Sequence, residues 1–232
     1  MFDKNYYCLV AGLREYSLDA DTKGFNARAI IEEILEGVSA RDARCVRVVR
    51  SYSAIVDEDA DNEDGIDTDR SFENALFSAY YDECAHSKSR FLRQWADFDR
   101  NLRNISAAVV ARVTGRSAEQ SVVGGDETSQ QLKRSSAADF GLRGDVPYLE
   151  AVIAAVNDET NLVEKERKID VIRWNQAEEL STFDYFNINA LLAYLVKVNI
   201  VARWTRLDET QGREMLRRLM TSLDGRDLIN KQ

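Results

Sequence analysis

Glu166, Asp170 and Arg173 stand at i, i+4 and i+7 in a stretch running from Leu162 to Leu180. That spacing sets two carboxylates and a guanidinium on one helical face, with Trp174 four residues beyond Asp170. In a cleft, paired carboxylates can do acid-base work or hold a ligand. On a helix that also carries Arg167, the same residues are expected to form a structural ion-pair network. His86, the one histidine in 232 residues, closes Glu83-Cys84-Ala85-His86, the Glu-x-x-His spacing of di-iron bundles. Such a bundle needs two of these motifs and two further glutamates, so a single histidine argues against it. It also removes most zinc hydrolases, and every Ser-His-Asp or Cys-His arrangement except one that His86 itself serves.

The segment from Asp57 to Asp69, DEDADNEDGIDTD, is the most acidic of the chain. Setting Gly65 at the sixth position of a calcium-binding helix-loop-helix loop puts Ala60 first, Asp67 where an apolar residue belongs and Ser71 at the bidentate glutamate position. The register fails three times, and a solvated, mobile loop is expected instead. Asp139-Phe140-Gly141 spells a kinase metal motif without the glycine-rich loop or the catalytic His-Arg-Asp that give it meaning. Gly124-Gly125 lacks the lysine and spacing of a phosphate-binding loop. Cys8, Cys45 and Cys84 have no metal-binding spacing and are read as reduced thiols of a cytoplasmic protein. No catalytic, cofactor-binding or metal-binding residue is therefore assigned, and no cofactor is expected.

The elements around these residues are helical. One proline and eleven glycines leave long helices as the least costly backbone state, so the fold class is all-α, a bundle of about seven to nine helices. Its organising stretch is Ser181 to Trp204, where Ile188, Leu191, Leu192, Leu195, Val198 and Ala202 recur at helical spacing and Val196, Ile200 and Val201 widen the apolar surface almost all round. Such a helix is buried by its neighbours. Asn187, Asn189, Lys197 and Asn199 make it a poor membrane span.

In chain order, residues 5 to 13 fit either a strand or the first turns of a helix. Ile30, Ile31, Ile34, Leu35 and Val38 stripe a helix beginning near Asn26. Ser39 and Asp42 resemble a capping box for a helix reaching about Val56. Ser71 to Ala85 and Lys88 to Thr114 follow, the second stopped by Gly115. Residues 115 to 146 are weakly patterned, with one short helix expected near Glu127 to Lys133. Asp145 is expected to cap a helix with Pro147 in its first turn. Leu162, Ile169, Ile172 and Leu180 should face inward on the next, with Glu164 supporting Lys168. Asp208 caps a last helix ending at Gly225 that presents Met215, Leu216 and Leu219 inward and Arg213, Arg217 and Arg218 outward. The whole, residues 1–232, reads as a single domain, with possible sub-units 1–114 and 145–232 around a mobile 115–144.

The net charge of -9 speaks against nucleic acid, which demands a clustered cationic face. The N-terminal apolar run is too short for a signal peptide.

Four places carry a family resemblance: Tyr6-Tyr7-Cys8-Leu9-Val10-Ala11-Gly12-Leu13; Asp139-Phe140-Gly141-Leu142 with Tyr148-Leu149-Glu150; Glu166-Arg167-Lys168-Ile169-Asp170 with Trp174; and Phe183 to Phe186 with Ile200-Val201-Ala202-Arg203-Trp204, Leu207-Asp208 and Gly212-Arg213. The sequence resembles a bacterial family of unknown function encoded alongside V-type ATP synthase subunits and taken for a divergent form of the C-type component of the central stalk, called d in eukaryotic V-ATPases. Asp99, Asn101, Leu102 and Ile105 resemble that component's recurrent aspartate-asparagine helix motif, and Tyr7, Ala11 and Arg14 its first helix. The resemblance implies an all-helical, non-catalytic adaptor whose partners are the rotor ring and the central shaft. It implies peripheral association with the cytoplasmic membrane face through the complex, no nucleic acid and no small-molecule substrate. Two other readings stand beside it: a helical scaffold or regulator unrelated to ATPases, and a small ligand-binding domain or enzyme using Glu166, Asp170 and Arg173.

Overall fold

The computed structural model describes residues 4–18, 24–61, 70–158 and 161–206. Among them are nine α-helices, a single 3-10 turn at Ala118–Gln120 and no strand. The helices are α1 (Tyr7–Gly12), α2 (Ala27–Gly37), α3 (Ala40–Asp61), α4 (Arg70–Ala85), α5 (Arg90–Val113), α6 (Glu127–Arg134), α7 (Leu149–Val156), α8 (Leu162–Ser181) and α9 (Ile188–Arg206). The all-α expectation holds, and the ambiguous run at residues 5–13 resolves into the short helix α1.

Two helices organise the rest. α5 packs against α4, α6, α7, α8 and α9, and α9 packs against α2, α3, α5 and α8. Both roles follow from sequence. α5 buries Phe91, Leu92, Trp95, Phe98, Leu102, Ile105 and Val109 along one stripe. α9 buries residues on nearly every side, Leu191, Leu192, Leu195, Val196, Val198 and Ile200 among them, and so must lie between neighbours. Its polar interruptions are spent locally. Asn199 Nδ2 donates to the Val49 carbonyl at 3.1 Å, and Lys197 Nζ meets Glu178 at 3.0 Å. No helix among the described residues is long and apolar enough to cross a membrane.

Helix starts follow capping chemistry at several points. Asn26 and Asn161 each accept from the backbone N–H three residues on, at 3.1 and 2.8 Å. Ser39 accepts from the Asp42 N–H at 3.2 Å as expected, but the return bond of a capping box is replaced: the Ser39 hydroxyl donates to the Asp42 carboxylate at 2.9 Å while the Ser39 N–H donates to Tyr6 Oη at 3.2 Å. α9 begins later than the cap expected at Ser181 or Thr182. Ser181 instead closes α8, and Asn187 accepts from the Asn189 N–H at 2.9 Å. Asp145 does not cap α7 either. Its N–H bonds the Leu142 carbonyl at 3.1 Å inside a turn, and α7 starts at Leu149 after Tyr148.

α3 runs on to Asp61, so the first five residues of the segment expected as a loop are helical. No Gly or Pro interrupts the chain before Gly65, and extending an existing helix through Asp, Glu and Ala costs little per residue. Residues 62–69 lie outside the described residues, as does the helix expected from Asp208 to Gly225 with Met215, Leu216, Leu219, Arg213, Arg217 and Arg218.

The weakly patterned segment from 115 to 144 is packed turn by turn. Val122, Leu132, Phe140 and Leu142 join the same apolar cluster as α2, α5 and α9. Asn104, buried on α5, holds it down: its amide accepts from the Val123 N–H at 2.9 Å and donates to the Val123 carbonyl at 2.7 Å. At Asp139-Phe140-Gly141 the Asp139 carboxylate accepts from the Gly141 N–H at 3.0 Å. Phe140 adopts φ 54°, a costly left-handed conformation for a large side chain. Burial of its ring under the Arg112 guanidinium, 3.9 Å from the centroid, offsets that cost.

The N-terminal segment is tied to the far end of the chain. The Tyr6 N–H donates to the Phe186 carbonyl at 2.5 Å, Tyr7 packs 4.7 Å from the Phe186 ring, and Tyr194 Oη donates to the Arg14 carbonyl at 3.0 Å. The α8–α9 connection is fixed by Asp184, which takes bonds from Arg90 at 2.6 Å and Asn189 at 3.2 Å.

Candidate functional site

α5, α8 and α9 each contribute ionisable side chains to one internal network. Asp99 of α5 is fully buried and accepts from Tyr81 Oη of α4 at 2.8 Å and from Arg173 Nε of α8 at 2.9 Å. Arg173 reaches on to Asp170 at 3.2 Å. Asp170, 1% exposed, also takes a bond from Trp204 Nε1 at 2.8 Å and pairs with Arg203 of α9. Arg203 ends the chain on Glu166 at 2.9 Å.

A buried charge survives only when paired and bonded, and each carboxylate here meets at least one guanidinium. Burial works to lower the pKa of Arg173, but Tyr52, Asp99 and Asp170 outweigh it and hold the group well above its ordinary value. Burial, with Asp99 nearby, pushes the Tyr52 phenol up to about 12, and Tyr81 is likewise raised, chiefly by burial. The phenols therefore remain protonated, and Tyr81 remains a donor to Asp99.

An alkaline limit on stability follows. Tyr52 and Tyr148 titrate near 10 when unfolded and near 12 when folded, so both states hold the proton below pH 10. Above it the unfolded chain releases protons first, and the stability is lost as pH rises from 10 through 12. The urea midpoint at pH 11 is expected below that at pH 8; equal midpoints would show that these phenols do not titrate as their burial demands.

Of the residues singled out by spacing, Glu166, Asp170 and Arg173 come together in an ion-pair network that is buried at Asp170 and Arg173 and opens to solvent at Glu166, whose side chain is 42% exposed. Other expectations fail locally. Lys168 pairs with Asp158 instead of resting on Glu164. Leu162, expected inward, is 72% exposed, because at the first turn of α8 its stripe outruns the neighbours among the described residues. His86 Nδ1 lies 2.7 Å from the Asp82 carbonyl on the exposed end of α4, and no cluster of three metal-ligating side chains occurs among the described residues. The three cysteines are free, with Cys84 buried and its thiol pushed up to about 12 by desolvation.

Sequence spacing did not find Tyr81, Arg203 or Trp204 as partners of the network. Arg203 carries the one usable signal, a guanidinium following the apolar run of a helix buried on all sides, where it needs an acidic partner.

Beside the network lies a cavity of about 450 Å³ between α3, α4, α5, α8 and α9. Phe77, Trp95, Leu102 and Ile169 are buried on its wall, and Arg103 stacks 3.3 Å over the Phe77 ring. A second surface feature sits at the α8–α9 connection, where Phe183 is 85% exposed and Tyr185 and Tyr7 are also largely open.

A family model described as "Protein of unknown function (DUF2764)" matches residues 56–226, a span that contains every member of the network. No curated protein and no solved structure matches the chain.

Proposed function

The chain belongs to the DUF2764 family, and from that premise we propose that it is a non-catalytic central-stalk adaptor of a bacterial V-type ATPase or ATP synthase, joining the membrane rotor ring to the central shaft. The observation that carries the reading is the network itself. Glu166, Asp170, Arg203 and Trp204, which carry the resemblance to the bacterial family of unknown function, and Asp99, which resembles the stalk component's motif, are spent on bonding α5, α8 and α9 to one another rather than on an open reaction centre. Passing torque requires a body that does not shear, and a densely packed core crossed by bonded charges resists shear. Arg90 and Asp184 extend the bracing to the hairpin tip.

In this reading the protein lies on the cytoplasmic face of the membrane, held there by the complex. The exposed aromatics Tyr7, Phe183 and Tyr185 are the surface it offers a neighbouring component, since apolar side chains held open on a pinned turn favour burial on association.

The test is affinity capture of the tagged chain from detergent-solubilised membranes of its own host. Rotor-ring and shaft proteins are expected to co-elute, and to be lost when Phe183 and Tyr185 are both changed to serine. A protein recovered only free, in the soluble fraction, would overturn the proposal.

A further inference from the structure

α5 leaves one face open over its last turns. Ser106, Val110 and Val113 share it by spacing, with Ala107 beside them; Val110 is 49% exposed and Val113 72%. Single apolar side chains on a surface need no explanation, but Ser106, Ala107 and Val110 also line the cavity described above, together with Val156 of α7 and Arg206 of α9.

The end of α9 is brought to the same place. Arg90 bonds the Leu180 carbonyl at 3.4 Å and Arg173 bonds Asp99 at 2.9 Å, so α5 and α8 run antiparallel and the last turns of α5 lie beside the first of α8. Arg203, on Glu166 at 2.9 Å, sets the end of α9 there too. The described residues thus end on the cavity wall, at Arg206, and residues 207–232 follow.

Those residues lie outside the described ones, and their sequence carries what the open face lacks. Met215, Leu216, Leu219, Met220 and Leu223 fall within about 140° of arc at helical spacing. From Met215 to Leu223 such a stripe runs about 12 Å, and the α5 face from Ser106 to Val113 about 10 Å. The family match continues to residue 226, so the stripe falls inside the same matched unit as the network. A second groove also flanks Arg206, between α2, α3 and α9, but Arg28, Glu32 and Arg50 line it, and Arg28 and Glu32 pair there at 2.8 Å. An apolar stripe favours the valine face.

We infer that residues 209–224 form an amphipathic helix seated on the end of α5, with Leu216 and Leu219 against Val110 and Val113. Small side chains at Ser106 and Ala107 let a helix approach closely, and Leu162, on the α8 side, stays at the open edge. The contact is within one chain, so it stands apart from the stalk reading and holds whether or not rotor-ring proteins are captured.

The test is thiol labelling of the full chain carrying Val113→Cys, with and without Leu216→Ser and Leu219→Ser. Peptide mass analysis follows each thiol, and circular dichroism checks the fold of both chains. The Val113→Cys thiol is expected to react with a maleimide about tenfold faster once the stripe is made polar, while the native Cys8, exposed on α1 at the opposite end, keeps one rate. Disulfide trapping gives a second reading: Val113→Cys with Leu216→Cys is expected to close within one chain, and Arg28→Cys with Leu216→Cys is not. Equal labelling with and without the serines, closure of the first pair only between two chains, or preferential trapping by Arg28→Cys would each overturn the inference.

Discussion

Changing Asp170 to alanine is expected to lower the unfolding free energy by about 3–5 kcal/mol, out of the roughly 5–15 kcal/mol that such a domain possesses. The loss comes less from the bonds removed than from what they leave behind. Arg173 keeps one partner in Asp99 and Arg203 keeps Glu166, but each loses a carboxylate that water replaces only in part, and the Trp204 indole N–H loses its acceptor. Urea denaturation followed by tryptophan fluorescence measures it, because Trp204 reports the network directly. Glu150→Ala is the contrast: its partner Arg143 is bonded at 2.7 Å but open to solvent, and its removal is expected to leave the midpoint where it was. If the two substitutions cost the same, the buried charges contribute no more than exposed ones and the bracing argument fails.

Leu192→Ala should cost about 2–5 kcal/mol, with the same readout. Leu192 is fully buried on α9 among the helices that enclose it, and truncation opens a void that rigid neighbours cannot close. Leu162→Ala removes the same atoms from the open first turn of α8 and is expected to change stability by no more than about 0.5 kcal/mol. Comparable losses at the two positions would mean that α9 is not the enclosed centre of the bundle.

The contrast between those leucines measures what spacing along a chain reveals. Periodicity gives the angle at which a side chain leaves its helix, and on that basis the buried faces of α2, α5 and α9 were readable, although α9 starts at Ile188, well after the expected cap. It does not say how far along the axis a neighbour extends, so Leu162 and Leu192 looked alike. Capping rules failed for a related reason at Asp145, where the local chemistry suited a helix start but a Leu142 turn took the backbone instead. Charge density suggested a loop after Val56, while an unbroken backbone let α3 continue.

The network was half legible. Glu166, Asp170 and Arg173 share a face by spacing alone, but Asp99 lies 74 residues from Arg173, and no local pattern joins them. The packed segment at 115–144 was the least readable, because turns fill space through single residues such as Phe140 and Val122 that have no period to detect.

The attachment of Tyr6 to Phe186, and of Arg14 to Tyr194 across 180 positions, bears on how the protein is made. A nascent chain leaving the ribosome displays its first segment long before the hairpin that receives it exists. That docking must then wait for the α8–α9 connection to emerge, and a chain stalled before it would leave the Tyr6 backbone N–H without the Phe186 carbonyl that receives it, open to chaperones and proteases.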